Sequence, residues 1–344
     1  MRRIKIGQIG TGHFHAEGKM EAVRKFPDVF EVVGIAEPDP GNLKQYAGRK
    51  TYEGLAWMSP GELLSVKDLD AVLVETNEWD LVSVARQCID AGVHIHLDKP
   101  AGEDLDEYAA MLREARRKSR IVQLGYMYRY NPAIQYCKKA VESGRLGEIF
   151  GIDAVMNTEH TREVREYLGR FRGGTMYIFG CHLIDLILSM QGMPDNIVPF
   201  QDKTMLDGVD VYDYGFAVFE YARGTSTVKT TSVEVKGYVR RQLVVSGSRG
   251  TIEIKPLEGP TAATLAVPDR GHGHVSYMHD HHARLQTIDL PALTGRYDDQ
   301  MLDFAAMIRG ERENPYTYEH ELAVQAATLR ASGFDIDLKK WSRL

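Results

Sequence analysis

Short apolar runs alternate with amphipathic stretches along residues 1–125. RIKIGQIG (3–10), FEVVGIAE (30–37), LDAVLVET (69–76), GVHIHLD (92–98) and IVQLGY (121–126) are predicted strands. HFHAEGKMEAVRKF (13–26), PDPGNLKQYAGR (38–49), WDLVSVARQCIDAG (79–92) and DLDEYAAMLREARRKS (104–119) are the predicted helices between them. Such alternation implies a parallel α/β sheet. The unbroken apolar run Ala71–Val74 suits a strand covered on both faces.

Beyond residue 130 the pattern changes. A helix is expected over 131–143 and a strand over 148–157. A polar segment, NTEHTREVREYLGRFRGG (157–174), then leads into an apolar helix, TMYIFGCHLIDLILSMQG (175–192). DYGFAVFEYA (213–222), GTSTVKTTSVEV (224–235) and RQLVVSGSRGTIEIKP (241–256) read as strands joined by short turns, which predicts an antiparallel or mixed sheet. DDQMLDFAAMIRGE (298–311) and YEHELAVQAATLRASG (318–333) read as closing helices. The expected division is a first domain over 1–125 and a second over 126–344.

Length agrees with that division, since 344 residues exceed one ordinary core. Net charge is −6, which argues against a nucleic-acid partner, and no run is long and apolar enough to span a bilayer. Three cysteines without a CxxC pair argue against a disulfide framework. Together with the lack of an apolar leader after the first basic residues, they place the chain in the cytoplasm as an expectation.

The turn GQIGTGHFH carries Gly10 and Gly12 after the first strand and before the first helix. Gly10 permits the tight turn, and Gly12 lets backbone approach a pyrophosphate at the helix N-terminus. His15 stands where the third fingerprint glycine would be. Glu37 ends the second strand, where a carboxylate accepts hydrogen bonds from a ribose diol and repels a 2′-phosphate. A dinucleotide is expected, NAD in preference to NADP, with Gly10, Gly12, His13, Phe14, Glu37, Thr76, Asn77, Asp98 and Lys99 as the binding set.

HIHLDKPAG puts Asp98, Lys99 and Pro100 at the C-terminal end of a buried parallel strand, the edge at which such sheets bind ligands. Here the chain resembles the Gfo/Idh/MocA oxidoreductases. IGTGHFHA matches that family's glycine turn, and VVGIAEPDP its acidic strand end. HIHLDKPAG is similar to its Glu-Lys-Pro motif with Asp98 for Glu. GYMYRYNPAIQYCKKAVESGRLGEI resembles its Arg-aromatic-Asn-Pro segment, and GGTMYIFGCHLIDL its Gly-x-His-x-x-Asp helix.

The resemblance implies a doubly wound Rossmann domain followed by an α/β domain with an open, mostly antiparallel sheet. It implies hydride transfer between nicotinamide and a carbinol or carbonyl of a sugar, cyclitol or polyol. Lys99 then corresponds to the lysine at the substrate hydroxyl, and His182 to the acid/base histidine, a role imidazole suits at neutral pH. Asp185, three residues on, is expected to orient His182 or a substrate hydroxyl. Arg129, Tyr130, His160 and Arg172 are the expected substrate-binding or framework residues, with Arg162, Arg165 and Arg170 in the same polar segment. No metal is expected. A homodimer or homotetramer through the second sheet is implied.

The family often carries an acid four positions before the helix histidine, where this chain has Ile178. Tyr177 is adjacent but points about 100° away on an ideal helix. Asn77 and Asp80 replace a usual Pro and His, and Met127 a usual Asn. Two alternatives therefore stand beside the dehydrogenase. One is a sugar lyase or glycosidase that oxidises its substrate transiently with held NAD, and the other a non-catalytic NAD-binding sensor. His272, His274, His279, His281 and His282 form a histidine-rich stretch whose default reading is a solvated or interface cluster.

Overall fold

The computed structural model describes residues 2–268 and 283–344. The histidine-rich stretch His272–His282 lies outside the described residues. The chain divides into two compact units.

The first unit is built on β1 (Ile4–Ile9), β2 (Phe30–Ala36), β3 (Trp57–Met58), β4 (Ala71–Val74), β5 (His94–Leu97) and β6 (Val122–Leu124). Their order across the sheet is β3-β2-β1-β4-β5-β6, with every pairing parallel. The chain therefore winds outward in two directions from β1 and β4. The crevice at the carboxyl ends of those two strands is the switch point at which doubly wound sheets take ligands.

The crossover helices are α1 (Ala16–Arg24), α2 (Pro40–Tyr46), α3 (Pro60–Leu64), α4 (Leu81–Asp90) and α5 (Leu105–Arg117). Local signals start several of them. Asp39 caps α2 by accepting from Gly41 N and Asn42 N, Ser59 and Glu62 form a capping box on α3, and Asp104 accepts from Glu107 N on α5. Helix α1 begins later than its amphipathic pattern suggests, because residues 13–15 form a turn that turns His13 inward.

The second unit starts at Tyr128, within a 3-10 turn, Met127–Tyr130, and continues into α6 (Pro132–Glu142). Asn131 caps α6 and Pro132 sits at its first position. After β7 (Ile149–Asn157), the polar segment folds in part into α7 (Arg162–Leu168), an element not expected from its composition. A π-helical stretch, Met176–Gly180, then feeds α8 (Cys181–Gln191).

The sheet is completed by β8 (Asn196–Asp202), β9 (Tyr214–Glu220), β10 (Thr225–Thr231), β11 (Gln242–Gly247), β12 (Gly250–Ile254), β13 (Ala262–Pro268) and β14 (Ala283–Asp289). Its order is β14-β13-β12-β11-β7-β10-β9-β8, and β7–β10 is its parallel pair. The sheet is open and mostly antiparallel, as the resemblance implied. Alternate residues such as Ala217, Phe219, Val228, Leu243 and Val245 are buried, while Phe150 and Phe200 are exposed on the strands. One face thus carries the core, and the other is left to solvent or another molecule.

The chain ends with α9 (Asp298–Ile308) and α10 (Tyr318–Ala331). Thr294–Gln325 and Trp341–Leu344 belong to the first unit, not to the second as a division at residue 125 would have it. The reason is packing against α1 and β6. A Cβ on Gly18 would lie 2.7 Å from the Tyr297 ring, and Lys25 pairs with Asp298 at 2.8 Å. Gln300 Nε2 donates to Leu124 O at 3.0 Å, and Gln123 Nε2 donates to Gln300 O at 3.1 Å.

Candidate functional site

In the first unit the functional side chains collect at the carboxyl ends of the parallel strands. Gly10 follows β1 with φ +97°, and a Cβ there would stand 2.3 Å from Thr76 N. Only glycine meets both conditions. A Cβ on Gly12 would meet Asn77 Oδ1 at 2.4 Å and Asn42 Nδ2 at 2.5 Å. The turn is therefore a bare backbone cradle bounded by β4 and α2. Thr76 Oγ1 is buried there with no hydrogen-bond partner among the described residues. A glycine cradle at a switch point, with a spare buried hydroxyl beside it, fits a dinucleotide pyrophosphate.

Glu37 stands just beyond β2, half-buried. Its carboxylate accepts from Thr11 N, from Thr11 Oγ1 at 2.7 Å and from Asp39 N at 2.8 Å. It thus braces the glycine turn, a task the sequence reading did not assign to it. A carboxylate has acceptor sites for about four donors, so room for a ribose hydroxyl remains. Phe14, 61% exposed, stands at the outside of the same turn.

Asp98 and Lys99 follow β5, both buried. Asp98 Oδ1 accepts from Lys99 N at 2.7 Å. His15 Nδ1 lies 3.2 and 3.1 Å from the two Asp98 oxygens, and His13 Nδ1 lies 3.3 Å from Asp98 Oδ2. Lys19 is fully buried 3.8 Å from Asp98 Oδ2, and its ammonium also meets His96 Nε2 and Gln300 Oε1. His96 Nδ1 is 2.8 Å from Gln123 Oε1. Sequence reasoning missed Lys19, Glu75 and His96 as members of this cluster. Their signal was a charged or imidazole side chain at inward positions of α1, β4 and β5.

Burial and the neighbouring Asp98 charge push the Glu75 carboxyl well above its usual range. Burial opposes ionisation of Asp98 too, but His13, His15 and Lys19 hold it well below. Glu75 is thus the neutral acid and Asp98 the anion of the pair. Nitrogens of His13 and His15 and an Asp98 oxygen lie within 4.8 Å of one another, a spacing a metal could bridge, and Lys19, whose proton burial loosens, lies 3.8 Å from the same carboxylate.

Burial lowers the His15 imidazole to about 3. It lowers His94, at the start of β5 beside Arg120, to about 4, and His160, in the second unit near Arg241, to about 4. Each binds its proton more weakly when folded than when unfolded, where the value is 6.5. Stability from these groups is complete above that pH and declines as pH falls toward about 4. A single buried imidazole gives a slope of up to about 1.4 kcal/mol per pH unit. Calorimetry should therefore show Tm falling before the carboxylates titrate, with a shallower fall in His94→Asn. A flat Tm across that interval would contradict the burial of these rings.

In the second unit His182 is the second residue of α8 and is 2% exposed. Its ring packs edge-on to Tyr128, with centroids 5.4 Å apart. Tyr128 donates to Glu258, which also pairs with Arg241, and Arg241 Nε donates to Asn157 O at 3.2 Å. Burial and Glu258 raise the Tyr128 phenol well above its usual value, so it remains a donor. The π-helical turn before α8 also removes the ideal-helix premise for Ile178. A π turn closes five residues back rather than four, so the 100° step of an ideal helix does not hold over residues 176–180.

Asp185 was expected to orient His182 or a substrate hydroxyl. Its carboxylate forms a two-point pair with Arg129, Nε–Oδ2 at 3.0 Å and Nη2–Oδ1 at 2.6 Å, both side chains buried. Planar guanidinium matches carboxylate in this way, and the pair ties the 3-10 turn to α8. Tyr130 lies half-buried in the same turn. His160 stacks on Phe179 at 5.1 Å, and its Nε2 has no hydrogen-bond partner among the described residues. Arg165 is buried by Leu206 O, 2.8 Å away, and by Asp207, which makes it framework. Arg172 is exposed, lies over the Phe334 ring at 4.6 Å and borders a cavity of about 250 Å³ with Gln201, Tyr212 and Ser332.

A doubly wound sheet with a glycine cradle at its switch point and an acid beyond β2 defines a dinucleotide-binding domain. Comparison with known proteins agrees. Residues 4–126 match the family described as "Oxidoreductase family, NAD-binding Rossmann fold", and residues 134–253 match the "GFO/IDH/MocA C-terminal domain". An uncharacterised oxidoreductase of Schizosaccharomyces pombe, C115.03, is 24% identical over 79% of this chain and 77% of its own. Inositol 2-dehydrogenase 1 of Saccharopolyspora erythraea is 26% identical over 42% of this chain and 43% of its own. Among solved structures, UDP-N-acetylglucosamine 3-dehydrogenase of Acidithiobacillus ferrooxidans superposes with a TM-score of 0.77 at 20% identity over 96% of both chains. This chain belongs to the Gfo/Idh/MocA family of oxidoreductases. Among the described residues, no helix is long and apolar enough to cross a membrane.

Proposed function

We propose that the protein is an NAD-dependent dehydrogenase that acts on a carbinol or carbonyl of a sugar, cyclitol or polyol. One observation carries this reading. The cradle of Gly10 and Gly12, the Glu37 carboxylate and the Asp98–Lys99 pair all stand at the carboxyl ends of strands in one parallel sheet. Relatives named for inositol and UDP-N-acetylglucosamine support the substrate class.

NAD, when bound, supplies the hydride acceptor. The remaining work falls to this chain. Gly10, Gly12, His13, Phe14, Thr76 and Asn77 line the coenzyme turn, and Glu37 takes the ribose diol. Lys99 steadies negative charge on the substrate oxygen, and His182 takes the proton that leaves it. Asp185 is assigned to holding Arg129, and with it the turn that carries Tyr128 and Tyr130. His160 and Arg172 remain substrate-contact proposals. The exposed sheet face with Phe150 and Phe200 is the proposed homodimer or homotetramer surface.

Ile178 favours keeping the transient-oxidation alternative, because a carboxylate four residues before His182 is absent. The two differ in whether NADH is released.

Thermal shift tests the reading. NAD should stabilise the protein more than NADP, and a panel of inositols, hexoses and UDP-sugars should add a shift only when NAD is present. Glu37→Gln keeps an acceptor for Thr11 but removes the charge, so the NAD-over-NADP preference should fall by about tenfold, roughly 1.4 kcal/mol. Equal response to both coenzymes in the parent protein would defeat the assignment of Glu37.

A further inference from the structure

We propose that His13 and His15 are positioning residues that clamp the main chain of Lys99 and tie it to the coenzyme turn. The inference rests on the role proposed above for Lys99, and its geometry is independent of that role. His15 replaces the packing glycine of the fingerprint, and its ring takes the space in front of a shortened acid, Asp98. The opposite side of that acid is closed by Gly125, where a Cβ would lie 2.5 Å from Asp98 Oδ1.

Lys99 is held at both of its main-chain polar groups. Its N–H donates to Asp98 Oδ1 at 2.7 Å, and its C=O lies 3.1 Å from His13 Nε2. Hydrogen bonding fixes the tautomers. His15 is neutral and has one N–H, which at Nδ1 donates to Asp98. A carbonyl oxygen only accepts, so His13 presents Nε2–H to Lys99 O, while its Nδ1 lies 3.2 Å from the backbone N of His15 and 3.3 Å from Asp98 Oδ2. The two rings pack edge to face with centroids 4.7 Å apart.

Other charged groups face this clamp from each neighbouring element. Glu75 Oε2 lies 3.9 Å from His13 Nδ1, and Glu78 Oε1 lies 3.8 Å from His13 Nε2. Lys19 approaches Asp98 from α1, and Lys99 itself completes the set. With Glu75 neutral, Asp98 is the anion on which His15 and Lys19 converge. Both imidazoles belong to the turn that cradles the coenzyme. A change in that turn on coenzyme binding is therefore passed to Lys99 through two hydrogen bonds rather than through loose packing.

The test needs no substrate. Reductive methylation of the full-length protein, read by peptide mass spectrometry, gives the labelling rate of Lys99 against exposed Lys44 and Lys50. His13→Ala and His15→Gly should raise the Lys99 rate by about tenfold, because each removes a hydrogen bond from the clamp. His13→Gln and His15→Asn, which retain a donor, should restore most of the protection. NAD should slow Lys99 labelling in the parent and lose that effect in the two truncations. Once a substrate is known, kcat should fall by about 10- to 100-fold in the truncations with KM for NAD little changed.

Lys99 labelling that is unchanged in both truncations, or equally fast in the donor-retaining variants, would overturn the clamp. If a truncation fails to fold, imidazole nitrogen spectra of the parent decide instead. His15 must show an Nδ1–H form that does not titrate near neutrality, and His13 the Nε2–H form. The reverse tautomers would contradict the proposal. Loss of the dehydrogenase reading alone would appear differently, as Lys99→Ala with full turnover beside labelling that still responds to His13 and His15.

Discussion

Lys99→Ala should lower turnover by about 10²- to 10³-fold while NAD still binds within a few fold of the parent. The expectation follows from the proposed division of roles. The proposed pyrophosphate cradle is backbone from Gly10 to Phe14, and the proposed ribose acid is Glu37, so removing the Lys99 side chain leaves both in place. What is lost is a positive charge beside an oxygen that becomes an alkoxide, in a site whose low dielectric magnifies it. His182→Ala should cost about 10²- to 10⁴-fold by removing the proton acceptor. Stopped-flow or steady-state rates with the substrate found by thermal shift, together with NAD titrations, measure both effects. Near-parental rates in both variants would remove these residues from the chemistry.

Arg129→Ala should be the most damaging of the structural changes. It removes the two-point partner of the buried Asp185 carboxylate, with a cost of about 3–5 kcal/mol and a fall in Tm of about 10 °C. The double variant Arg129→Met with Asp185→Leu should lose far less than the sum of the two single changes, because it removes both charges together. A paired framework role predicts that pattern in calorimetry. If Arg129→Ala melts like the parent but raises KM, Arg129 is a substrate contact and the pair with Asp185 contributes little.

Strand–helix alternation made the first sheet legible from the chain alone, because each strand of a two-sided parallel sheet is a short apolar run. The glycine cradle was legible for a similar reason, since a positive φ and a close approach at Gly10 leave one residue type. The second sheet was legible in class but not in extent. β8, β13 and β14 went unseen because their burial alternates weakly, and β14 is almost wholly exposed.

Long-range partners set what could not be read. Nothing near residue 298 signals that α9 belongs with α1, because the signal is Gly18 opposite Tyr297, far apart in sequence. Helix spacing is local and could offer His182, three residues away, as a neighbour of Asp185, but not Arg129, 56 positions away. His15 looked like a defect in the fingerprint until Asp98, 83 positions on, was seen against it. Ile178 and Tyr177 were read against an ideal helix, whereas residues 176–180 are π-helical.

The most direct measurement uses enzyme, NAD and the sugar or cyclitol selected by thermal shift, carrying deuterium at the carbinol carbon. Mass spectrometry of the coenzyme after one turnover reads the outcome. Deuterium in released NADH, and its loss in Lys99→Ala and His182→Ala, is the result this account predicts. Substrate converted while the coenzyme stays oxidised and unlabelled would contradict it, and would assign the fold to a cycle in which the hydride returns to the sugar.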